Sequence, residues 1–396
     1  MSDILYKAIN EVQIAQYAFC RFITANDTGK NGSHQAGFYI PKCAAPLLFE
    51  SVGVKGENKD KLVEVKWQDN FTTNSRFIYY GQGTRNEYRI TRFGKNFPFF
   101  EEDNVGDLLI IAKQNETYYS GFVLQTDQDI EDFLNYFNLS PDMTNQLINI
   151  KQTNASEKLL DLYITELVST YNDFPETKKM AQLAREIYNK SNKITDIDIC
   201  INPDLQLLKW IDTEYNLFRN FEEKVYAPIY SVPFTNCQEL INFSNSILNR
   251  RKSRAGKSLE HHLSAIFTIN KLEYEEQVIT EDNKKPDFIF PNGESYHNIC
   301  FPTDQLVFLG VKTTCKDRWR QILNEANRIE TKYLFTLQQG ISKNQLKEMK
   351  HEHIKLVVPT SYIKFFNNEF QSEIETLNSF INIVKTKQNN KFIHPI

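Results

Sequence analysis

A change of period along the chain constrains the fold most. From about residue 17 to 125 the apolar residues come in short aromatic and β-branched runs, FCRFIT, GFYIP, VEVKW, RFIYYG, EYRITRF and LLIIAK, cut by Gly, Asn and Asp. Runs of this kind fill half-buried strands and predict a small all-β barrel or sandwich. A helical period begins between Asp127 and Leu147, and residues 149–158 are polar and weakly patterned. Beyond Pro175 long helical segments alternate with compact apolar runs: FIFP after Asp287, QLVFLGVKTT, KYLFTL and IKLVVP. That alternation predicts an α/β domain. The expected layout is a mainly-β domain over 1–148, a linker over 149–174 and an α/β domain over 175–396, which suits a chain of 396 residues with two cores.

The net charge of −4 announces no polyanion partner, so any nucleic-acid surface must come from local clusters of Lys and Arg. The six cysteines are scattered without a CxxC or Cys/His spacing, which argues against structural zinc and against a disulfide framework. The N-terminal MSDILYKAIN carries charges where a signal peptide needs an apolar run, and no stretch reaches the length of a membrane span. A soluble, cytoplasmic protein is expected, with no membrane partner.

Phosphodiester hydrolysis needs an oxygen-ligated metal and a cation that orients the nucleophile, so carboxylates and a lysine must converge. Residues 284–290 read KKPDFIF, placing Asp287 at the entry of an apolar strand, and in LVFLGVKTT (306–314) Lys312 breaks the apolar pattern. A lysine there is costly unless used. Period-2 order puts Lys312 on a face with Leu306, Phe308 and Gly310, beside Asp287 if the two strands pair. Downstream, Trp319, Ile322, Leu323, Ala326 and Ile329 follow helical spacing and leave Glu325 at the edge of the buried face. Glu260, in the predicted helix GKSLEHHLSAIF, is a fourth candidate.

Taken in order, these residues resemble the PD-(D/E)xK nucleases. One departure is Gly310, which stands where the second carboxylate normally sits; a subgroup of restriction enzymes moves that acid onto the following helix, where Glu325 stands. RRKSRAGKSLE (250–260), KKPDF (284–288) and VKTTCKDRWRQILNEA (311–326) are similar in wording and order to the catalytic domain of EcoRII-type restriction endonucleases. The resemblance implies Mg²⁺ held by Asp287 and Glu325, Lys312 at the attacking water, and Glu260 in support. It also implies base reading by Lys316, Asp317 and Arg318, a role that chemistry allows because cations read guanine and a carboxylate can accept from cytosine. The basic run Arg250, Arg251 and Arg254 reads as phosphate contact. AGKS (255–258) ends like a P-loop but lacks the first Gly. Tyr296 invites comparison with tyrosine recombinases or topoisomerases, yet no clear Arg/His/Arg cluster accompanies it. A DNA-binding regulator on a dead nuclease fold is the other alternative.

In the β-rich half, RFITANDTGKNGSHQAGFYIP (21–41) and GTRNEYRITRFGK (83–95) concentrate polar chemistry. ANDTG, HQAG, YIP, TRNE and RITR resemble the EcoRII-type effector domain, a DNA-binding pseudobarrel. That likeness implies two arms with Arg21, Asn26, Thr28, Lys30, His34, Arg85, Glu87, Arg89 and Arg92 on DNA, although Gly83 and Tyr88 replace two lysines of the family arm. The expected architecture is then an N-terminal mainly-β effector pseudobarrel joined to a C-terminal α/β restriction-endonuclease-like domain. The implied enzyme is a type IIE homodimer that binds two copies of a site such as 5′-CCWGG and leaves 5′-phosphate ends, functionally paired with a DNA methyltransferase.

Overall fold

The computed structural model describes residues 2–28, 37–68, 71–137, 139–148, 155–316 and 318–389. The first domain opens with α1 (Asp3–Ile14), whose Ser2 hydroxyl accepts from the Leu5 N–H and caps the helix. Then come β1 (Tyr17–Phe22), β2 (Phe38–Ile40), the short α2 (Ala45–Leu48), β3 (Lys59–Trp67), β4 (Thr72–Tyr80), β5 (Glu87–Thr91), β6 (Leu108–Lys113) and β7 (Tyr118–Leu124). The domain closes with α3 (Asp127–Tyr136) and β8 (Gln146–Ile148). The eight strands form one sheet in the order β2-β5-β4-β3-β7-β6-β1-β8, antiparallel except where β3 meets β7.

Alternation explains why this sheet curls into a pseudobarrel. One set of inward residues, among them Phe38, Trp67, Phe77, Phe93 and Phe97, fills the interior. The opposite set, with Cys20, Ile110 and Phe122, packs under α1 and α3. Removing so many rings from water is the largest favourable term here.

The segment expected as a linker contains α4 (Ala155–Ser169), whose Ile164 and Val168 are buried against α5 (Thr177–Asn192) and α7 (Pro203–Tyr230). After α6 (Asp196–Ile201) and α7 comes α8 (Cys237–Ile269). The second sheet holds β9 (Glu275–Glu276), β10 (Phe288–Phe290), β11 (Val307–Lys312), β12 (Lys332–Thr336), β13 (Ile354–Val358) and β14 (Glu375–Thr376), ordered β14-β13-β12-β11-β10-β9. Helices α9 (Gly293–His297), α10 (Lys343–His351) and α11 (Leu377–Asn389) complete it. From β9 to β11 the pairing is antiparallel; from β11 to β14 it is parallel. Both faces of β10 and β11 are buried, as a sheet covered by helices on both sides requires. Among the described residues no helix is long and apolar enough to cross a membrane.

A candidate nuclease site under an acidic helix

Pairing of β10 with β11 sets Phe288 opposite Leu309, which brings the residue before β10 to the end of β11. Asp287 Oδ2 accepts the Val311 N–H at 2.7 Å and lies 3.5 Å from Lys312 Nζ, while Oδ1 accepts from Gln277 Nε2 at 3.3 Å. The backbone bond fixes the carboxylate, so the lysine meets a pre-set charge. Gly310 explains the displaced acid: a Cβ there would stand 2.9 Å from Ile322 Cγ2 and 3.3 Å from Phe308 Cε1. No carboxylate side chain fits at that position.

Glu325 reaches the site from a different element than expected. Trp319–Ile322 is a single 3-10 turn, and Ala326 has φ +51°, a left-handed angle that an α-helix does not admit. The spacing misled because Trp319, Ile322, Ala326 and Ile329 are all buried, as a helix would bury them; they are buried by a chain of turns. Burial first, and then the charge of Asp287, push Glu325 up to about 7 against the pull of Lys312. Glu260 is raised by the same two causes, opposed by Lys257 at 3.2 Å and by Lys312. Burial leads in both, so each carboxylate holds a proton more tightly than it would in water.

Among the described residues no three His, Cys, Asp or Glu side chains lie close enough to hold a metal ion together. Two carboxylates completed by water and phosphate oxygens are nevertheless the donor set that Mg²⁺ accepts. An oxygen-only set of this kind fits such a cation.

The N-terminal domain lies over this site. A cavity of about 590 Å³ has Gln128, Glu131 and Leu134 of α3 on one wall and Lys252, Glu260, Lys312, Thr313 and Arg318 on the other. Arg318 makes a two-pronged pair with Glu131, at 2.9 and 2.6 Å, the strongest geometry for this charge pair. Asp127 accepts the backbone N–H groups of Lys316 and Arg318, each at 3.1 Å. Lys316 Nζ reaches Asp107 and the Asp103 carbonyl. Burial outweighs that lysine's attraction and raises Asp107 to about 6. Asp132 pairs with Lys252 at 2.7 Å. Arg251 is held by Glu222 at 2.7 and 2.9 Å and by the Asn135 and Tyr136 carbonyls.

Other expected contacts lie elsewhere. Arg254 is 1% exposed, stacked 3.8 Å over Tyr215 and 3.6 Å from Glu214; it braces α8 on α7 and is turned away from the surface. Arg250 is exposed, over the Phe174 ring at 4.3 Å. Tyr296 is buried, and its hydroxyl donates to both Glu281 oxygens at 2.7 Å. Burial and that carboxylate raise its pKa, which is the reverse of what a nucleophile needs. In the β domain Arg21 is buried with Asp27 at 2.9 Å, and Thr28 is buried and donates to the Ala25 carbonyl. Asn26, Arg85 and Arg92 are exposed, and Arg89 pairs with Glu87 at 3.2 Å. Arg21 and Thr28 thus shape the arm and do not project from it. Lys30, His34 and Asp317 lie outside the described residues.

Asp107, Asp127 and Glu131 had escaped the sequence reading. The signal was the run of acids in DQDIED (127–132), legible only as a counterpart to the cations at 316–318.

Residues 13–144 match the family description "Restriction endonuclease EcoRII, N-terminal" and residues 218–381 match "EcoRII C terminal". The chain is 35% identical to the type II restriction enzyme EcoRII of Escherichia coli, covering 96% of this chain and 97% of that one. It belongs to the EcoRII family. It is accordingly a type II restriction endonuclease, with the family's N-terminal and C-terminal domains in one chain. Among solved structures, metal-depleted Ecl18kI in complex with uncleaved, modified DNA is similar over 62% of this chain and 88% of its own, at 16% identity and TM-score 0.46. The restriction endonuclease PspGI–substrate DNA complex is similar over 60% of this chain and 94% of its own, at 15% identity and TM-score 0.40.

Proposed function

We propose that this EcoRII-family enzyme is a Mg²⁺-dependent homodimer whose N-terminal domain holds the nuclease shut until it binds its own copy of the target site. Asp287 and Glu325 hold the metal, which when bound supplies Lewis-acid charge at the scissile phosphate. Lys312, fixed by Asp287, orients the attacking water and neutralises developing phosphate charge. Glu260, which lines the same cavity as Lys312 and has a raised affinity for a proton, takes up the proton that the attacking water releases. Lys316, Asp317 and Arg318 read base edges, Arg250 and Arg251 hold phosphates, and products carry 5′-phosphates. A site of the CCWGG type, a paired methyltransferase and a cytoplasmic setting complete the reading.

One observation carries the gating: Glu131, Asp127 and Asp107 occupy the hydrogen-bonding groups of Lys316 and Arg318 that DNA would use. Carboxylates and DNA compete for the same donors, so both cannot be satisfied at once. An effector duplex opens the enzyme only if it binds the open form better than the closed one, and the outer arms with Arg85, Arg89 and Arg92 lie in the same domain as α3. The test is cleavage of single-site plasmid with and without a short uncleavable duplex carrying the target. Acceleration by the duplex, lost in Arg85→Ala/Arg89→Ala, is expected; equal rates with and without it would reject the gating.

A further inference from the structure

Glu325 stands on a chain of turns, which holds a side chain less firmly than a helix does. Its backbone closes short loops: the N–H groups of Leu323, Glu325 and Ile329 donate to the carbonyls of Arg320, Ile322 and Ala326 at 3.3, 3.1 and 2.9 Å. Ala326, the next residue, is left-handed at φ +51°, a conformation that an L-residue keeps where its surroundings impose it. Burial of Ile322, Ala326 and Ile329 sets the stretch against the core. It does not fix the direction of the half-buried residue between them.

A polar clamp supplies what packing lacks. Arg328 turns its guanidinium to the end of α9 and the loop beyond: Nη1 donates to the Ser295 carbonyl at 3.3 Å and to that of Tyr296, and Nη2 to the Phe301 carbonyl at 2.6 Å. The last carbonyls of a helix lack partners within it, and a planar fork meets several acceptors at once, which an ammonium does not. From the other side, Glu281 Oε2 accepts the Asn327 N–H and Lys284 Nζ donates to the Asn324 carbonyl, each at 3.2 Å. Glu281 and Lys284 belong to the segment that leads into Asp287, so the clamp ties the turn of one carboxylate to the approach of the other. We propose that Arg328 is a positioning residue, which locks this turn so that Glu325 and Asp287 are held at the separation one Mg²⁺ ion requires. The proposal rests on the reading of Glu325 as a metal ligand. Mg²⁺ demands near-ideal octahedral geometry, and groups that only orient a ligand change metal affinity about 10–100-fold when removed.

Titration with Mn²⁺, followed by the paramagnetic resonance of the free ion, tests this on the full chain saturated with uncleavable target duplex. Mn²⁺ stands in for Mg²⁺ as an octahedral ion that prefers oxygen. Arg328→Ala should raise the Mn²⁺ dissociation constant about 10–100-fold, and Arg328→Lys, which keeps the charge and loses the fork, by a smaller factor. In cleavage assays Arg328→Ala should raise the half-saturating Mg²⁺ concentration by a similar factor, while the rate at saturating Mg²⁺ recovers most of the wild-type value. Partial unfolding does not produce that split. Should Arg328→Ala melt below the assay temperature, Arg328→Lys carries the same two measurements. An unchanged dissociation constant and half-saturation point in the folded variant, beside a Glu325→Gln enzyme that has lost the Mn²⁺ site, would overturn the positioning role and leave Glu325 a ligand. Wild-type Mn²⁺ binding in Glu325→Gln would remove the ligand reading and this proposal together.

Discussion

Two clusters of cations face opposite fates in this molecule. At residues 316–318 the described cations find their partners in the other domain: Lys316 in Asp107, Arg318 in Glu131. In the N-terminal arm Arg89 pairs with Glu87 and Arg85 lies over the Tyr80 ring at 5.1 Å, both within the domain. Of the two surfaces proposed to read DNA, one is covered and the other is open. On the proposed function, DNA should be met first through the open surface, because exposed charge steers encounter while the covered charge is already paired.

The largest expected effect removes the chemistry beneath the covered surface. Asp287→Ala and Lys312→Ala should each lower cleavage at least ~1,000-fold in single-turnover assays, while gel-shift affinity for target duplex changes little, since neither residue reads bases. If either variant cuts at near the wild-type rate, the site lies elsewhere.

Prising the domains apart should come next in size. Gly106, at φ +94°, lies so close to Gly340 that a Cβ would stand 2.5 Å from the Gly340 carbonyl oxygen; only glycines allow this backbone approach. Gly106→Ala should raise single-site cleavage by the intact chain about tenfold, the equivalent of losing ~1.4 kcal/mol of closure, and shrink the stimulation by added duplex.

A smaller effect reports on the cost of closure. Asp107 has its folded pKa raised to about 6, so the stability it contributes is fully present below its unfolded pKa near 4 and is lost as pH rises through 6. Asp107→Asn, which mimics the protonated acid, should melt with wild type at pH 4 and above it at pH 8, by a few degrees for at most about 3 kcal/mol. Melting curves that differ equally at both pH values would remove this account of the contact.

Smallest of all is Tyr296→Phe. Its hydroxyl serves Glu281, so cleavage should stay within about twofold of wild type, with about 1 kcal/mol of stability lost. A covalent protein–DNA adduct, or lost activity, would revive the tyrosine nucleophile.

Much of this architecture was legible in the residues. The alternating runs gave six of the barrel strands, and the four apolar runs after Asp287 are β10 to β13. Asp287 and Lys312 could be paired on paper because a lysine in an apolar strand needs a partner. Glu325 does lie near Lys312 and Asp287, but on turns and not on the expected helix: burial at helical spacing does not distinguish a helix from turns that bury the same residues. Arg254 was misjudged because a basic run on a helix reads as a single surface, whereas helical rotation turns one member inward to Glu214. The acids of α3 matter only through the other domain, about 190 residues away along the chain, and no local pattern carries that distance.

The most direct test of the covered-and-open account is Glu131→Ala in the full-length enzyme, assayed on single-site DNA with and without target duplex. Glu131 makes no hydrogen bond to Asp287 or Lys312, the residues proposed for catalysis, or to the arm, yet it takes both prongs of Arg318. The account predicts cleavage about tenfold or more above wild type without duplex, since a charge-assisted pair is worth roughly 1.5–3 kcal/mol, and little further gain when duplex is added. Wild-type rates in Glu131→Ala, with stimulation by duplex intact, would contradict it.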